Sequence, residues 1–95
     1  MPYFDWSEEK NEKLKEERDV SFEEIADAVN GGGLVETIDN PNQVKHSGQK
    51  LMVVKIGGYI YLVPFVMQGE TFFLKTVFPS QKATKKYLIK GGVKK

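Results

Sequence analysis

Between Leu51 and Phe78 three strand-like runs follow one another with almost no chain between them. Leu51 to Ile56 leads into Gly57-Gly58, Tyr59 to Met67 into Gln68-Gly69, and Glu70 to Phe78 into Pro79-Ser80. Parallel neighbours need a crossover of about a dozen residues or more, so connections this short leave only antiparallel pairing. A two-residue link rich in glycine is also the usual hairpin signal, because both central positions want positive φ. Val, Ile, Tyr and Phe dominate the runs, as a pleated, half-buried surface favours. Pro64 lacks an N–H and is expected to demote part of the middle run to an edge or a bulge. Leu34 to Ile38 adds one short strand ahead of the meander, giving a four-stranded antiparallel sheet.

Two helices precede the sheet. Ser7 to Arg18 reads as a helix with Ser7 as cap and Glu8 and Glu9 at the positive end of its dipole. It holds few apolar residues beyond Leu14 and is expected to be mostly solvated. Ser21-Phe22-Glu23-Glu24 carries a full capping box, with Val20 and Ile25 as a hydrophobic staple. Phe22, Ile25, Ala26 and Val29 form the apolar stripe of an amphipathic helix, and Asn30-Gly31-Gly32-Gly33 ends it through a left-handed glycine. Trp6 and Phe22 are expected to pack under the sheet. Ser80 caps a last helix reaching about Leu88, with Gly91-Gly92 beyond it. The fold class is therefore α+β: two N-terminal helices, a four-stranded antiparallel sheet and a C-terminal helix, in one domain over residues 1–95.

Composition removes several chemistries. The 95 residues include no cysteine and a single histidine, His46, so neither a thiolate metal site nor a paired-histidine acid–base system can be built. Glu23, Glu24 and Asp27 lack a histidine partner; no metal and no cofactor are expected. Gly31-Gly32-Gly33 leaves a helix instead of leading into one and lacks the G-K-[ST] sequel of a phosphate loop. Lys55, Gly57, Gly58 and Pro64 interrupt the longest apolar stretch, well short of the roughly 18 unbroken residues of a span. The opening MPYFDWSEEK lacks the pattern of a signal peptide, so no membrane partner and a cytoplasmic location are expected.

The net charge is only +1, but it is unevenly distributed. Residues 1–39 hold 12 acids against Lys10, Lys13, Lys15 and Arg18, whereas residues 40–95 hold Glu70 against ten lysines. Either the two halves neutralise each other, or they form two faces, one suited to phosphates and one to a basic partner.

Certain short motifs carry a resemblance. Phe4-Asp5-Trp6 with Lys10, then Val20-Ser21-Phe22-Glu23-Glu24, and finally Phe78-Pro79-Ser80-Gln81-Lys82-Ala83 resemble the opening, second helix and C-terminal segment of the BrnT family of bacterial toxins. The resemblance implies a RelE-like fold, a type II toxin–antitoxin toxin that cleaves RNA and inhibits translation, and a cognate DNA-binding antitoxin with which it forms an oligomer. Leu14 stands where the family has asparagine, Arg18-Asp19 where it has His-Gly, and Gln81 where it has an arginine. Glutamine supplies neither a permanent charge nor a donor fork. The alternative is therefore a catalytically decayed module that binds RNA or an antitoxin-like protein without cleaving.

Metal-independent RNA cleavage by 2′-OH attack needs proton transfer and stabilisation of the charged phosphorane. Here those roles fall to Lys82, Lys75 and, at the family's histidine position, Arg18. Lys85, Lys86, Tyr61 and His46 are the candidates for holding RNA. Lys82, Lys85, Lys86 and Lys90 recur at helical spacing, and Tyr59 and Tyr61 share a strand face. A solvated lysine face and a pair of packed tyrosines are the alternative reading of the same residues.

Overall fold

A computed structural model describes residues 3–40 and 48–90. The chain opens with a three-residue strand, β1 (Tyr3–Asp5), whose Phe4 ring lies 5.6 Å from Phe72, itself 5.3 Å from Phe65. Trp6 then stacks on Phe22 at 5.6 Å, so both aromatics enter the core as expected. Helix α1 (Glu8–Arg18) starts where the Ser7 hydroxyl accepts the Lys10 N–H, and it stops at Asp19, which takes a left-handed φ of 57°. Only Asn11 and Leu14 of this helix are buried.

Helix α2 (Phe22–Asn30) carries the capping box in full: Ser21 Oγ accepts the Glu24 N–H at 3.2 Å and Glu24 Oε1 accepts the Ser21 N–H at 3.1 Å. Its left-handed glycine is the second of the three, Gly32. Gly33 is required for a different reason. A Cβ there would lie 2.8 Å from the Lys55 carbonyl and 2.9 Å from that of Ala28, both backbone atoms. The chain end of α2 thus enters the sheet in contact with a neighbouring strand.

The remaining strands are β2 (Leu34–Asp39), β3 (Lys50–Ile56), β4 (Tyr59–Gln68), β5 (Thr71–Leu74) and β6 (Phe78–Pro79). They form a sheet in the order β1-β5-β4-β3-β2, with β6 also on β4. The sheet corrects the expected four antiparallel strands in two ways. First, β1 joins it parallel to β5, so the sheet is mixed and six-stranded. Second, the run from Glu70 to Phe78 is two short strands separated by Lys75–Val77. Both pair with β4, β5 through Phe65–Gln68 and β6 through Tyr61 and Leu62.

Pro64 explains that interruption and is itself a correction. It sits inside β4, the middle strand, opposite Leu51 of β3. Its carbonyl accepts the Lys75 N–H at 2.8 Å, so its N–H-less nitrogen faces the gap between β5 and β6, where no ladder bond is lost. The Gly57-Gly58 turn has φ of 62° and 95° at its two central positions, as a tight hairpin demands. The second hairpin turns one residue later than expected, at Gly69-Glu70, with Gln68 opposite Thr71.

Alternation sends the two sheet faces to different cores. Met52, Val54, Val63, Phe65 and Leu74 pack with Leu14, Val20, Phe22 and Ile25 of the helical layer. Val53 and Ile60 face the other way, against Ala83 of α3 (Gln81–Thr84), with Ile38, Leu62 and Tyr87 around them. The last helix keeps the Ser80 cap but makes a single α-turn before winding as a π-helix over Lys85–Lys90. The expected Gly91-Gly92 terminator lies outside the described residues.

Candidate functional site

Helix α3 is fixed to the sheet by a short polar stitch. Thr84, buried, donates its hydroxyl to the Ser80 carbonyl at 2.7 Å and accepts the Ile60 N–H at 2.9 Å. Ser80 in turn donates its N–H to the Ile60 carbonyl at 3.0 Å and caps Ala83. The helix therefore leaves β4 at a fixed angle, and the positions of Lys82 and Lys86 follow from it.

Between this helix and the sheet lies a cleft of about 340 Å³. Ile38, Leu51, Val53, Leu62 and Ala83 give it an apolar floor, and Lys82, Lys86, Ser80 and Tyr87 complete its lining. Both lysines are exposed, so their ammonium groups reach solvent while their stems border the apolar surface. Tyr87 is oriented from two sides. Its hydroxyl hydrogen-bonds the Glu36 carboxylate of β2, and Lys86 Nζ lies 5.1 Å from its ring centre. Donation to Glu36, followed by burial and the carboxylate charge, pushes the phenol pKa above its ordinary value. Tyr87 is thus a held, protonated aromatic and not a base at neutral pH.

The sequence candidates divide between the two faces. Lys82 and Lys86 meet at the cleft, whereas Lys85 is exposed on the following turn. Lys75 follows β5 and lies 5.3 Å over the Phe73 ring. Tyr61 packs against the helical-layer core, in edge contact with Tyr59 at 5.8 Å, so it does not join the lysines of α3. Arg18 donates to the Val77 carbonyl at 2.8 Å and to Thr76 Oγ1 at 3.4 Å. It fastens the end of α1 to the chain between β5 and β6. His46 lies outside the described residues.

Arg18 also borders a second groove, of about 380 Å³, with Lys10, Lys13, Glu9, Glu17 and Thr76. Its cations alternate with carboxylates and its arginine already has a carbonyl partner, so it offers a phosphate less than the lysine-only cleft does. Sequence reasoning missed the cleft floor, Tyr87 and Glu36. Leu51-x-Val53 and Ile38 did carry a strand alternation, but nothing local says which helix covers that face. Among the described residues no group of three or more His, Cys, Asp or Glu stands ready to hold a metal ion, and no helix is long and apolar enough to cross a membrane.

Comparison with family models, curated proteins and solved structures finds no match to this chain.

Proposed function

We propose that this protein is a toxin of a type II toxin–antitoxin system, a RelE-like, metal-independent endoribonuclease related to the BrnT family. The observation that carries this reading is that Lys82 and Lys86 both line the α3 cleft, Lys82 within the Phe78–Ala83 motif that resembles that family. In the cleavage, a ribose 2′-oxygen bonds to phosphorus and loses its proton to solvent. The bond from phosphorus to the 5′-oxygen breaks, leaving a 2′,3′-cyclic phosphate and a 5′-hydroxyl. Lys82 and Lys86 offset the negative charge of the pentacoordinate state, and one ammonium protonates the departing oxygen. Lys75 and Lys85 hold flanking backbone phosphates. Arg18 acts as a structural clamp in this scheme. The site of action is cytoplasmic, and the acidic outer surface of α1 receives a basic segment of the antitoxin.

A second reading has one observation in its favour. The chain has a single arginine, which is bound to Val77, and Gln81 stands beside Lys82, so the cleft holds no guanidinium. That suits a decayed module that binds RNA, or an antitoxin-like protein, without cutting. Induced expression in bacteria separates the two. Growth arrest by the natural chain, relieved by Lys82→Ala at equal protein level, is expected. A folded, soluble natural chain that leaves growth unchanged would overturn the active-toxin reading.

A further inference from the structure

We propose that the free edge of β2 is a self-association surface: two copies of the chain pair β2 against β2 about a two-fold axis at Ile38, joining their sheets into one.

Strand β2 ends the sheet, and among the described residues no strand lies beyond it. The opposite end is β1, only three residues long, so β2 is the longer free edge. Five of its six residues are exposed, and Leu34 and Val35 are two of the four large apolar side chains exposed among the described residues. The ladder to β3 fixes which backbone groups are spare. Asn40 donates its N–H to the Gln49 carbonyl at 3.1 Å, with Asp39 opposite Lys50 and Ile38 opposite Leu51. In antiparallel pairing every second residue bonds the neighbour, so Ile38 and Glu36 also turn toward β3 while Thr37 and Asp39 point their N–H and carbonyl groups outward. Native proteins usually guard such an edge with lysine, proline or an outlying charge. β2 has no lysine and no proline, and both its acids are held within the chain, Asp39 by Lys50 at 2.9 Å and Glu36 by the Tyr87 hydroxyl. The bulge between Leu34 and Glu36 bends only the start of the strand and leaves residues 36–40 regular.

The side chains select both the occupant and the register. A two-fold axis requires a strand that is complementary to its own reverse. With Ile38 on the axis opposite the partner's Ile38, Thr37 falls opposite the partner's Asp39 and Glu36 opposite the partner's Asn40. Apolar meets apolar, hydroxyl meets carboxylate, and no like charges are opposed. Thr37 then exchanges both backbone hydrogen bonds with the partner's Asp39, and Asp39 with the partner's Thr37. A shift of one residue, with Thr37 on the axis, would set Glu36 against the partner's Ile38 and Val35 against the partner's Asp39, acid on aliphatic at both places. Ile38 already packs on the cluster of Val53, Ile60 and Ala83, so the axis joins two such clusters into one apolar strip.

The full chain is followed by sedimentation velocity from micromolar to near-millimolar concentration. A monomer–dimer equilibrium is expected, without larger species, because an isologous pair uses up the edge. Thr37→Pro removes an N–H that β3 does not use, and an edge strand tolerates proline at such a position. Its circular dichroism is expected to match the natural chain while the dimer weakens by about tenfold or more. The chain has no cysteine, so Ile38→Cys supplies a thiol that can pair only with its copy. Opposed residues of the non-hydrogen-bonded kind lie about 4.5 Å apart at Cα, within the range a disulfide spans. With oxidised glutathione, Ile38→Cys is expected to cross-link faster than Thr37→Cys, and this pair decides the matter if Thr37→Pro fails to fold. A natural chain that stays monomeric throughout overturns the proposal, as does a folded Thr37→Pro chain that dimerises as well as the natural one. Faster cross-linking of Thr37→Cys than of Ile38→Cys overturns the axis.

Discussion

The most exacting test of the packing argument is Asn11, a fully buried polar side chain in a helix whose only other buried residue is Leu14. Its Oδ1 accepts the N–H of Phe22 at 2.9 Å, and its Nδ2 donates to Glu23 Oε1 at 2.8 Å. Phe22 opens α2 and is itself fully buried, so its N–H has no helical partner and no water. Asn11→Ala strands that donor, at a cost of about 1–3 kcal/mol. The void left by the amide adds ~1 kcal/mol. The sum, about 2–4 kcal/mol, corresponds to a fall in melting temperature of roughly 10–20 °C for a chain of this size.

Urea unfolding followed by Trp6 fluorescence reads the effect at its source, because the indole stacks on Phe22. Asn11→Asp sharpens the test. It keeps an acceptor for the Phe22 N–H, but at neutral pH it sets a carboxylate against that of Glu23; on acidification a protonated carboxyl can donate again. Asn11→Asp is therefore expected to be weakest near neutral pH and to approach the natural chain as the pH falls. Glu23 itself is held below its ordinary 4.5, chiefly by the Asn11 hydrogen bond. A lowered carboxyl stabilises the fold above its unfolded pKa and loses that contribution as the pH drops through the folded value, so the natural chain weakens below about pH 4.5 more than Asn11→Ala does, where Glu23 keeps its backbone hydrogen bond and the Lys15 charge. An Asn11→Ala cost under about 1 kcal/mol, or Asn11→Asp as stable as the natural chain at pH 7, would refute the reasoning.

Three further outcomes follow from the geometry. Thr84→Val keeps the side-chain shape but strands the Ile60 N–H, and calorimetry is expected to register a loss of about 1–3 kcal/mol together with looser attachment of α3. Gly33→Ala places a methyl against two backbone carbonyls and is expected to be among the most damaging single changes, seen as loss of cooperative unfolding, whereas Gly31→Ala meets the Asp27 carbonyl at 3.2 Å and that of Ala28 at an ordinary 3.8 Å and is expected to be milder. Tyr87 is expected to titrate above 10.0 by NMR and to return toward it in Glu36→Gln. Because a raised phenol pKa favours the protonated folded state, the stabilisation from the Tyr87–Glu36 contact is present below pH 10 and is lost as the pH rises through the folded value.

The parts of the fold legible in the sequence are those governed by neighbours in the chain. The Ser21–Glu24 capping box, the Gly57-Gly58 hairpin and the Ser80 cap are each decided within four residues, and each stands in the structure as expected. What was illegible depends on partners far along the chain. Tyr3–Asp5 is too short to show alternation, and it is a strand only because Phe72, some seventy residues away, offers a ring and a free edge. Pro64 reads locally as a strand-breaker. It is tolerated in the middle strand because the break between β5 and β6 falls on the side where its missing N–H points.

The site shows the same division. Lys82 and Lys86 were visible as helical neighbours, since one turn of helix is a local relation. Tyr61 and Arg18 have the right chemistry for RNA, yet the first faces the core under the helices and the second is bound to the Val77 carbonyl. Residue type nominated them, and topology separated them from α3. Tyr87 was passed over for the converse reason. Its wall-like position depends on Glu36, 51 residues earlier, and a lone tyrosine among lysines carries no local signal of that pairing. The consequence for mechanism is specific. The cations at the cleft are all lysines on one short helix held to β4 by Thr84, so any loosening of that stitch moves Lys82 and Lys86 together. On the RNA-directed function proposed above, Thr84→Val is thus expected to weaken RNA affinity as well as stability, with both lysines intact, and an unchanged affinity would show that the helix keeps its place without the stitch.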